Sequence, residues 1–392
     1  MKIKAIKFLY QKIMKPIYFR IDPEKVHNHM TGAMKHFGKN KVFQKTFDFF
    51  FSFKHLALKQ HISGLKFDNP IGLAAGFDYD AKWIGVLPHL GFGFHTVGTI
   101  TNEPYEGNEK PRLGRLPKSK SLLVNKGFKS AGMDKNLRHM KYTIETIPLG
   151  ISIGSTNKKY NSLEDQAKDV VEGFRKAINS RLGSYYELNI SCPNLSHVGS
   201  DADSFSSESG FKMLLELLSS LQFNKPIFVK MHLEKSIEGT RRLMEIAKEH
   251  NFIKGFIFSN LCKDRSNPHF DKEEIEKAGK GNFSGKPTSE QSLKLIRFAY
   301  KNYKERFIII GCGGIFSAED AYKKIKAGAS LVQMITGMIY EGPQIISEIN
   351  QDLVNLLEED GYKSISDAIG TEHQKLDNTD PDHHNTDTFN HT

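Results

Sequence analysis

Eight short apolar runs, most of them separated by segments with helical spacing, constrain this 392-residue chain more than any other feature. They are Ile71 to Ala75, Phe94 to Ile100, Leu149 to Ile153, Tyr185 to Ile190, Ile227 to Lys230, Gly255 to Phe258, Phe307 to Ile310 and Ser330 to Ile335. The intervening segments Leu163 to Arg181, Phe211 to Leu221, Ile237 to His250, Glu290 to Tyr303 and Ala318 to Ala327 space apolar residues at three and four, as amphipathic helices do. Alternation of this kind points to a parallel sheet with crossover helices. Eight units predict the α/β class and a (β/α)8 TIM barrel, with an open doubly wound sheet as the alternative. Ser317, three residues before Asp320, is a helix-start signal ahead of Ala321 and Ile325.

In a barrel, chemistry belongs to the loops at the carboxyl ends of the strands, and the unusual residues fall there. Ala74-Ala75-Gly76-Phe77-Asp78-Tyr79 follows the first run, Gly98-Thr99-Ile100-Thr101 closes the second, and Gly154-Ser155-Thr156-Asn157 follows the third. The sixth ends in Ser259-Asn260, the seventh in Gly311-Cys312-Gly313-Gly314 and the eighth in Thr336-Gly337. Glycines and a hydroxyl after the last two strands suit a phosphate, because bare backbone N–H groups and helix N-termini approach an anion closely. Tight turning is the plain alternative for the same glycines.

The fourth run ends in Asn189-Ile190-Ser191-Cys192-Pro193-Asn194, a thiol between two carboxamides where a proline stops the ladder. Carboxamides on both sides suit a planar, polar ligand. A thiol with an ordinary pKa of about 8.5 takes a proton near neutrality more easily than a hydroxyl, so Cys192 is the candidate general base. A buried structural cysteine is the alternative. Lys230, between Val229 and Met231 at the end of the fifth run, needs a negative partner if it is buried. Flavin mononucleotide offers one, since negative charge collects on the pyrimidine edge of its ring on reduction. A lysine reaching solvent from the strand end is the alternative.

These motifs together resemble the dihydroorotate dehydrogenase family, and more closely its membrane-associated, quinone-dependent class 2. The resemblance spans Ile17 to Asp360. Its specific pieces are Asn69 to Gly76, Gly107 to Leu113, Asn189 to Asn194, Ile310 to Ile315 and Ala327 to Gln333, with Arg20-Ile21-Asp22-Pro23-Glu24 similar to the class 2 extension. The resemblance implies that Ala75, Gly76, Thr99, Asn189, Lys230, Ser259, Gly285, Gly314, Ile335 and Thr336 contact FMN. It assigns dihydroorotate or orotate to Asn125, Gly127, Phe128, Asn189, Asn194 and Asn260, and the catalytic base to Cys192.

The implied reaction removes a proton from C5 of dihydroorotate and a hydride from C6, in the route to pyrimidine nucleotides, with a quinone as the second substrate. Four positions depart from the class 2 pattern. Cys192 stands where class 2 carries serine and class 1 cysteine, and Tyr79 stands where a lysine usually touches flavin and substrate. Ser152 replaces a flavin-contacting Asn, and the loop Asn125-Lys126-Gly127-Phe128 is one residue short. Lys82 or Lys126 are the candidates to replace the missing cation. A class 1 enzyme using fumarate or NAD, or a flavin barrel acting on a different substrate, is the runner-up.

The first sixty residues hold thirteen Lys or Arg against three Asp or Glu, a net of +10 that equals the formal charge of the whole chain. Ile3, Ile6, Tyr10, Ile13 and Ile17 fall on one helical face flanked by Lys2, Lys4, Lys12 and Lys15, and Phe47 to Phe53 adds an apolar patch. Basic residues beside apolar ones predict peripheral contact with an anionic membrane on the cytoplasmic side of the cell membrane, with the quinone entering between helices. A cap packed on the barrel with a solvated basic face is the alternative. No secretory signal and no nucleic-acid motif are expected. Cys192, Cys262 and Cys312 are unpatterned, without metal-ligand spacing, and suit a reducing compartment. The expected organisation is a helical extension over 1–60, an FMN barrel over 61–360 and a polar tail over 361–392, disordered from Thr371 onward.

Overall fold

The computed structural model describes residues 2–141, 146–191 and 204–377. Eight parallel strands close into a barrel: β1 (Ile71–Leu73), β2 (Phe94–Thr101), β3 (Leu149–Gly154), β4 (Tyr185–Asn189), β5 (Ile227–Lys230), β6 (Ile253–Phe258), β7 (Ile308–Cys312) and β8 (Leu331–Met334). Each of the eight apolar runs is one strand, and β8 returns to β1 with Val332 opposite Ile71. The open doubly wound alternative is thereby excluded. The predicted helices are present as Leu163–Ser180, Glu208–Leu218, Ile237–Lys248, Ser289–Tyr303 and Ala318–Lys326. Ser317 caps the last of these, its hydroxyl accepting from the Asp320 N–H at 3.3 Å.

Side chains pointing inward from alternate strand positions fill the barrel in layers. At the amino-terminal end, Phe94, Tyr185 and Phe228 pack together above Phe67, which belongs to a short hairpin (Gln60–Ile62 with Leu65–Phe67) that closes this end. Gly72 makes room for that plug, since a Cβ there would lie 2.2 Å from the Phe94 ring. The next layer is polar and hydrogen-bonded: the Thr96 hydroxyl lies 2.7 Å from the Tyr185 hydroxyl and accepts from the Gln333 amide at 3.1 Å. Above it, at the carboxyl ends, the inward positions carry Ser152, Glu187, Asn189 and Lys230.

A three-stranded antiparallel sheet (Leu113–Leu116, Ser121–Val124, Asn282–Gly285) stands over one side of the barrel mouth. The amino-terminal helices lean on it: helix Pro23–Phe37 packs on Leu113–Leu116, and the Arg115 guanidinium donates to the Ile21 carbonyl at 2.7 Å. Among the described residues no helix is long and apolar enough to cross a membrane.

Two expectations need correction. The face predicted through Ile3, Ile6, Tyr10, Ile13 and Ile17 breaks after Tyr10. A π-helical turn at Tyr10–Met14 inserts an extra residue into the winding, and this rotates the inward stripe onto Met14 while Ile13 and Ile17 become 49% and 53% exposed. The turn is held by the Tyr10 hydroxyl donating to the Ile339 carbonyl at 2.6 Å and by Gln11 donating to the Tyr340 carbonyl at 2.9 Å. The second correction concerns the tail, expected to be disordered from Thr371. A helix spans Thr371–Asp377, preceded by the buried Ile365 and Ala368. Those apolar anchors, the Arg297 to Glu372 ion pair at 2.7 Å and the His373 ring against the Ala327 carbonyl hold this segment to the barrel.

Candidate functional site

The site begins with the pairing of β4 and β5. Their register sets Asn189 beside Lys230, and that of β3 and β4 sets Ser152 beside Glu187. All four side chains are buried and form one network. The Asn189 amide donates to the Thr99 hydroxyl at 2.7 Å, which lies 2.9 Å from the Ser152 hydroxyl. Ser152 donates to Glu187 Oε1 at 2.7 Å, and that oxygen is 3.9 Å from Lys230 Nζ. Asn189 Oδ1 accepts from both the N–H and the hydroxyl of Ser191, and Asn260 donates to that hydroxyl at 2.9 Å. Carboxamides from two strand ends are thus fixed in orientation before any ligand arrives.

Above this network lies a cleft of about 920 Å³, its open mouth included. Nine of the residues singled out in the sequence line it: Ala75, Gly76, Lys230, Ser259, Asn260, Gly285, Gly314, Ile335 and Thr336. Thr99, Ser152 and Asn189 lie directly behind Lys230 in the hydrogen-bonded network. One pole of the cleft is built from Gly285, Gly313, Gly314, Thr336 and Gly337. Gly314 has φ of 71° and comes so close to the next helix start that a Cβ would fall 2.3 Å from the Ser289 hydroxyl. Backbone that bare, after the seventh and eighth strands, suits an anion such as a phosphate. The Ser259 hydroxyl is buried at the cleft wall with no hydrogen-bond partner among the described residues. A flavin fits this donor set.

Of the residues expected at the substrate, Asn125, Gly127 and Phe128 come together around Asn108 and Gly154. The Asn125 carboxamide accepts from Asn108 at 3.0 Å, and Asn108 in turn accepts from Asn157 at 3.0 Å and from the Tyr105 hydroxyl at 2.7 Å. Gly127 sits against this relay, and the Phe128 ring packs on Gly154 beside Thr99. Cys192 and Asn194 lie outside the described residues. Tyr79 is buried and is not among the residues that line the cleft. Its hydroxyl donates to Asn28 Oδ1 at 3.3 Å and its ring stacks on His27 of the extension, with centroids 5.3 Å apart.

Lys126 also meets the Tyr79 ring, with Nζ 4.1 Å from the centroid. Lys126 is buried, lines the cleft and has no carboxylate within ion-pairing distance among the described residues. Burial pushes it down to about 8, against a smaller upward pull from Glu24. Burial first, and the Lys126 cation second, push His27 down to about 3, so it is neutral at physiological pH. Lys82, the other candidate replacement cation, is committed to Asp80 at 3.1 Å.

Three participants escaped the sequence reading: Glu187, His27 and Asn108. Glu187 had a signal, an acidic residue in the middle of an apolar strand. The other two are brought in by tertiary contacts that neither spacing nor residue type announces.

The family model described as dihydroorotate dehydrogenase matches residues 57–357. The chain is 36% identical over 385 residues to the dihydroorotate dehydrogenase (quinone) of Trichodesmium erythraeum, covering 92% of this chain and 98% of that protein. It is 34% identical over 353 residues to the protein of the same name from Christiangramia forsetii, covering 88% and 99%. Among solved structures, a ligand-free DHODH from Eimeria tenella superposes with a TM-score of 0.78 at 28% identity, covering 90% of this chain and 99% of that one.

Proposed function

The chain belongs to the dihydroorotate dehydrogenase family, and from that membership and the geometry of the cleft we propose that it oxidises dihydroorotate to orotate and passes the electrons to a quinone. The observation that carries this reading is one cleft joining Lys230 at the barrel axis to a bare glycine pole after the last two strands. The family is flavin-dependent, and FMN is the flavin whose single phosphate matches that pole. When bound, it supplies the two-electron acceptor that takes the substrate hydride and hands its electrons on. Ala75, Gly76, Ser259, Gly285, Gly314, Ile335 and Thr336 would hold it, with Thr99, Ser152 and Asn189 supporting Lys230 from behind.

The chain's own contribution is orientation and proton handling. Asn125, Asn189 and Asn260, each fixed by a hydrogen bond, suit the amide and carbonyl edges of the dihydroorotate ring. Asn194, Gly127 and Phe128 complete the proposed clamp. Cys192 is the proposed base for the C5 proton, a role in which a thiol needs less activation at neutral pH than a hydroxyl.

Residues 1–60 are proposed as the docking extension and 61–360 as the catalytic barrel. Phe8, Leu9, Ile13, Ile17, Val42 and Phe49 are exposed on helices dense in lysine. That combination supports peripheral contact with an anionic membrane surface on its cytoplasmic side. A lipid-soluble quinone would then arrive where the extension meets the cleft, near His27, Leu113 and Ile339. The test is to extract the bound flavin from purified protein and identify it by mass. FMN, together with quinone reduction driven by dihydroorotate, is expected. FAD or no flavin would refute the cofactor assignment, and turnover with fumarate or NAD alone would refute the acceptor.

A further inference from the structure

Among the described residues, Glu187 and Lys230 carry the buried carboxylate and ammonium groups of the barrel strands. Glu187 is fully buried, yet only Oε1 is engaged, by Ser152 at 2.7 Å and by Lys230 at 3.9 Å. Its Oε2 has no hydrogen-bond partner among the described residues. A half-satisfied carboxylate in a barrel core is costly, and hydrophobic packing would fill the same space more favourably. Its place in the layers is informative. Tyr185, Glu187 and Asn189 are successive inward residues of β4, so Glu187 stands one layer below the cleft floor that Lys230 shares with Asn189. Cys312, which lines the cleft, senses both groups: burial raises its thiol most, Lys230 pulls it down and Glu187 pushes it up.

We propose that Glu187 is the built-in counter-ion of Lys230, a positioning residue that makes the floor beneath the flavin ring a near-neutral ion pair instead of a bare cation. The physical consequence follows from Coulomb's law. A lone ammonium facing the ring stabilises the negative charge that two-electron reduction adds, which raises the reduction potential. A carboxylate one layer below opposes this and, in a low-dielectric barrel, is only weakly screened. Glu187 therefore keeps the flavin at a lower potential, favouring electron delivery to the acceptor over retention. The geometry also divides labour: Ser152 holds Oε1 in place, and the unengaged Oε2 leaves the carboxylate's charge undiminished by further donors.

The inference rests on the flavin reading, and the experiment separates the two. The flavin-loaded wild type, Glu187→Gln and Glu187→Asp are compared by equilibrium reduction against a reference dye, and by titration with sulfite. Sulfite adds to oxidised flavin at N5, leaving negative charge on the pyrimidine edge and bleaching the visible band. Glu187→Gln, of equal size but neutral, is expected to raise the potential and to tighten sulfite binding at least about tenfold. Glu187→Asp, which keeps the charge, is expected to stay near wild type. A purely structural role would lower thermal stability and move neither readout. Unchanged potential and sulfite affinity in a flavin-loaded Glu187→Gln protein would overturn the inference and leave the flavin reading intact. A chain that takes up no flavin would overturn both.

Discussion

The ammonium of Lys126 stands 4.1 Å from the ring centroid of Tyr79, a ring that also stacks on His27 of the amino-terminal extension. The pair sits where the family resemblance expects a single lysine in direct reach of the substrate. Lys126, from a different loop, is the candidate for that charge, and its ammonium rests against the Tyr79 ring. The segment Asn125-Lys126-Gly127-Phe128 and the Tyr79 position thus meet in one contact.

Removing that charge should weaken substrate binding. A charge-assisted hydrogen bond contributes about 1.5–3 kcal/mol, so Lys126→Met is expected to raise the KM for dihydroorotate by about tenfold or more. The rate of flavin reduction at saturating substrate should change much less. An unchanged KM would assign the carboxylate to another group.

The same lysine gives a pH signature. With Lys126 held down to about 8 by burial, its cationic form is present below that pH and lost as pH rises through it. Substrate KM should therefore climb above about pH 8 in the wild type. In Lys126→Met the climb should be absent, leaving the KM high throughout.

Lysine burial elsewhere makes a stability prediction. Lys324 is buried among helix residues and donates to the Ser292 hydroxyl 2.8 Å away, its one side-chain acceptor among the described residues, and burial pushes it down to about 8. Its folded-state value lies below the unfolded one, so the unfolded chain binds more protons between about pH 8 and pH 10.5. Stability from this group is lowest below that window and is gained as pH rises through it. Lys324→Met should raise the melting temperature at pH 7, and the gain should shrink when the comparison is repeated near pH 10.

The barrel plug is sensitive in the opposite sense. Gly72→Ala would place a methyl 2.2 Å from the Phe94 ring, inside a layer already packed with Tyr185, Phe228 and Phe67. Overpacking of this kind costs about 1–3 kcal/mol, visible as a lower denaturation midpoint with flavin content unchanged at low temperature.

Membrane docking can be tested without disturbing the barrel. Replacing Phe8, Ile13 and Ile17 together by Glu acts on exposed side chains of the first helical segment. Co-sedimentation with anionic vesicles should fall at least about tenfold, since each inserted apolar side chain contributes about 1.5–3 kcal/mol when fully buried. Dihydroorotate oxidation with a water-soluble acceptor should persist.

The barrel was legible because a parallel strand buried on both faces carries a mostly apolar run, which Phe94 to Ile100 and Ile227 to Lys230 keep despite the buried Thr96 and Lys230. The glycine cluster after the seventh strand was legible as a close-approach turn, and Gly313 and Gly314 do take φ of 90° and 71° there. What escaped was set by contacts between distant segments. The π-helical turn depends on Tyr10 and Gln11 reaching carbonyls at Ile339 and Tyr340, which no local pattern announces. The ordering of Thr371–Asp377 depends on Arg297 and on the Ala327 carbonyl. The contacts of Tyr79 with His27 and Asn28 of the extension are likewise set by distant segments.

The central claim is that dihydroorotate delivers its hydride to a flavin bound in this cleft, with Cys192 taking the proton. Anaerobic mixing of the purified, flavin-loaded protein with dihydroorotate tests it most directly, following the visible flavin band in the wild type and in Cys192→Ala. Rapid bleaching in the wild type, lost or slowed by about a hundredfold or more in the variant, is the predicted result. A flavin that stays oxidised in the wild type, or that bleaches equally fast in both proteins, would contradict the substrate or the base.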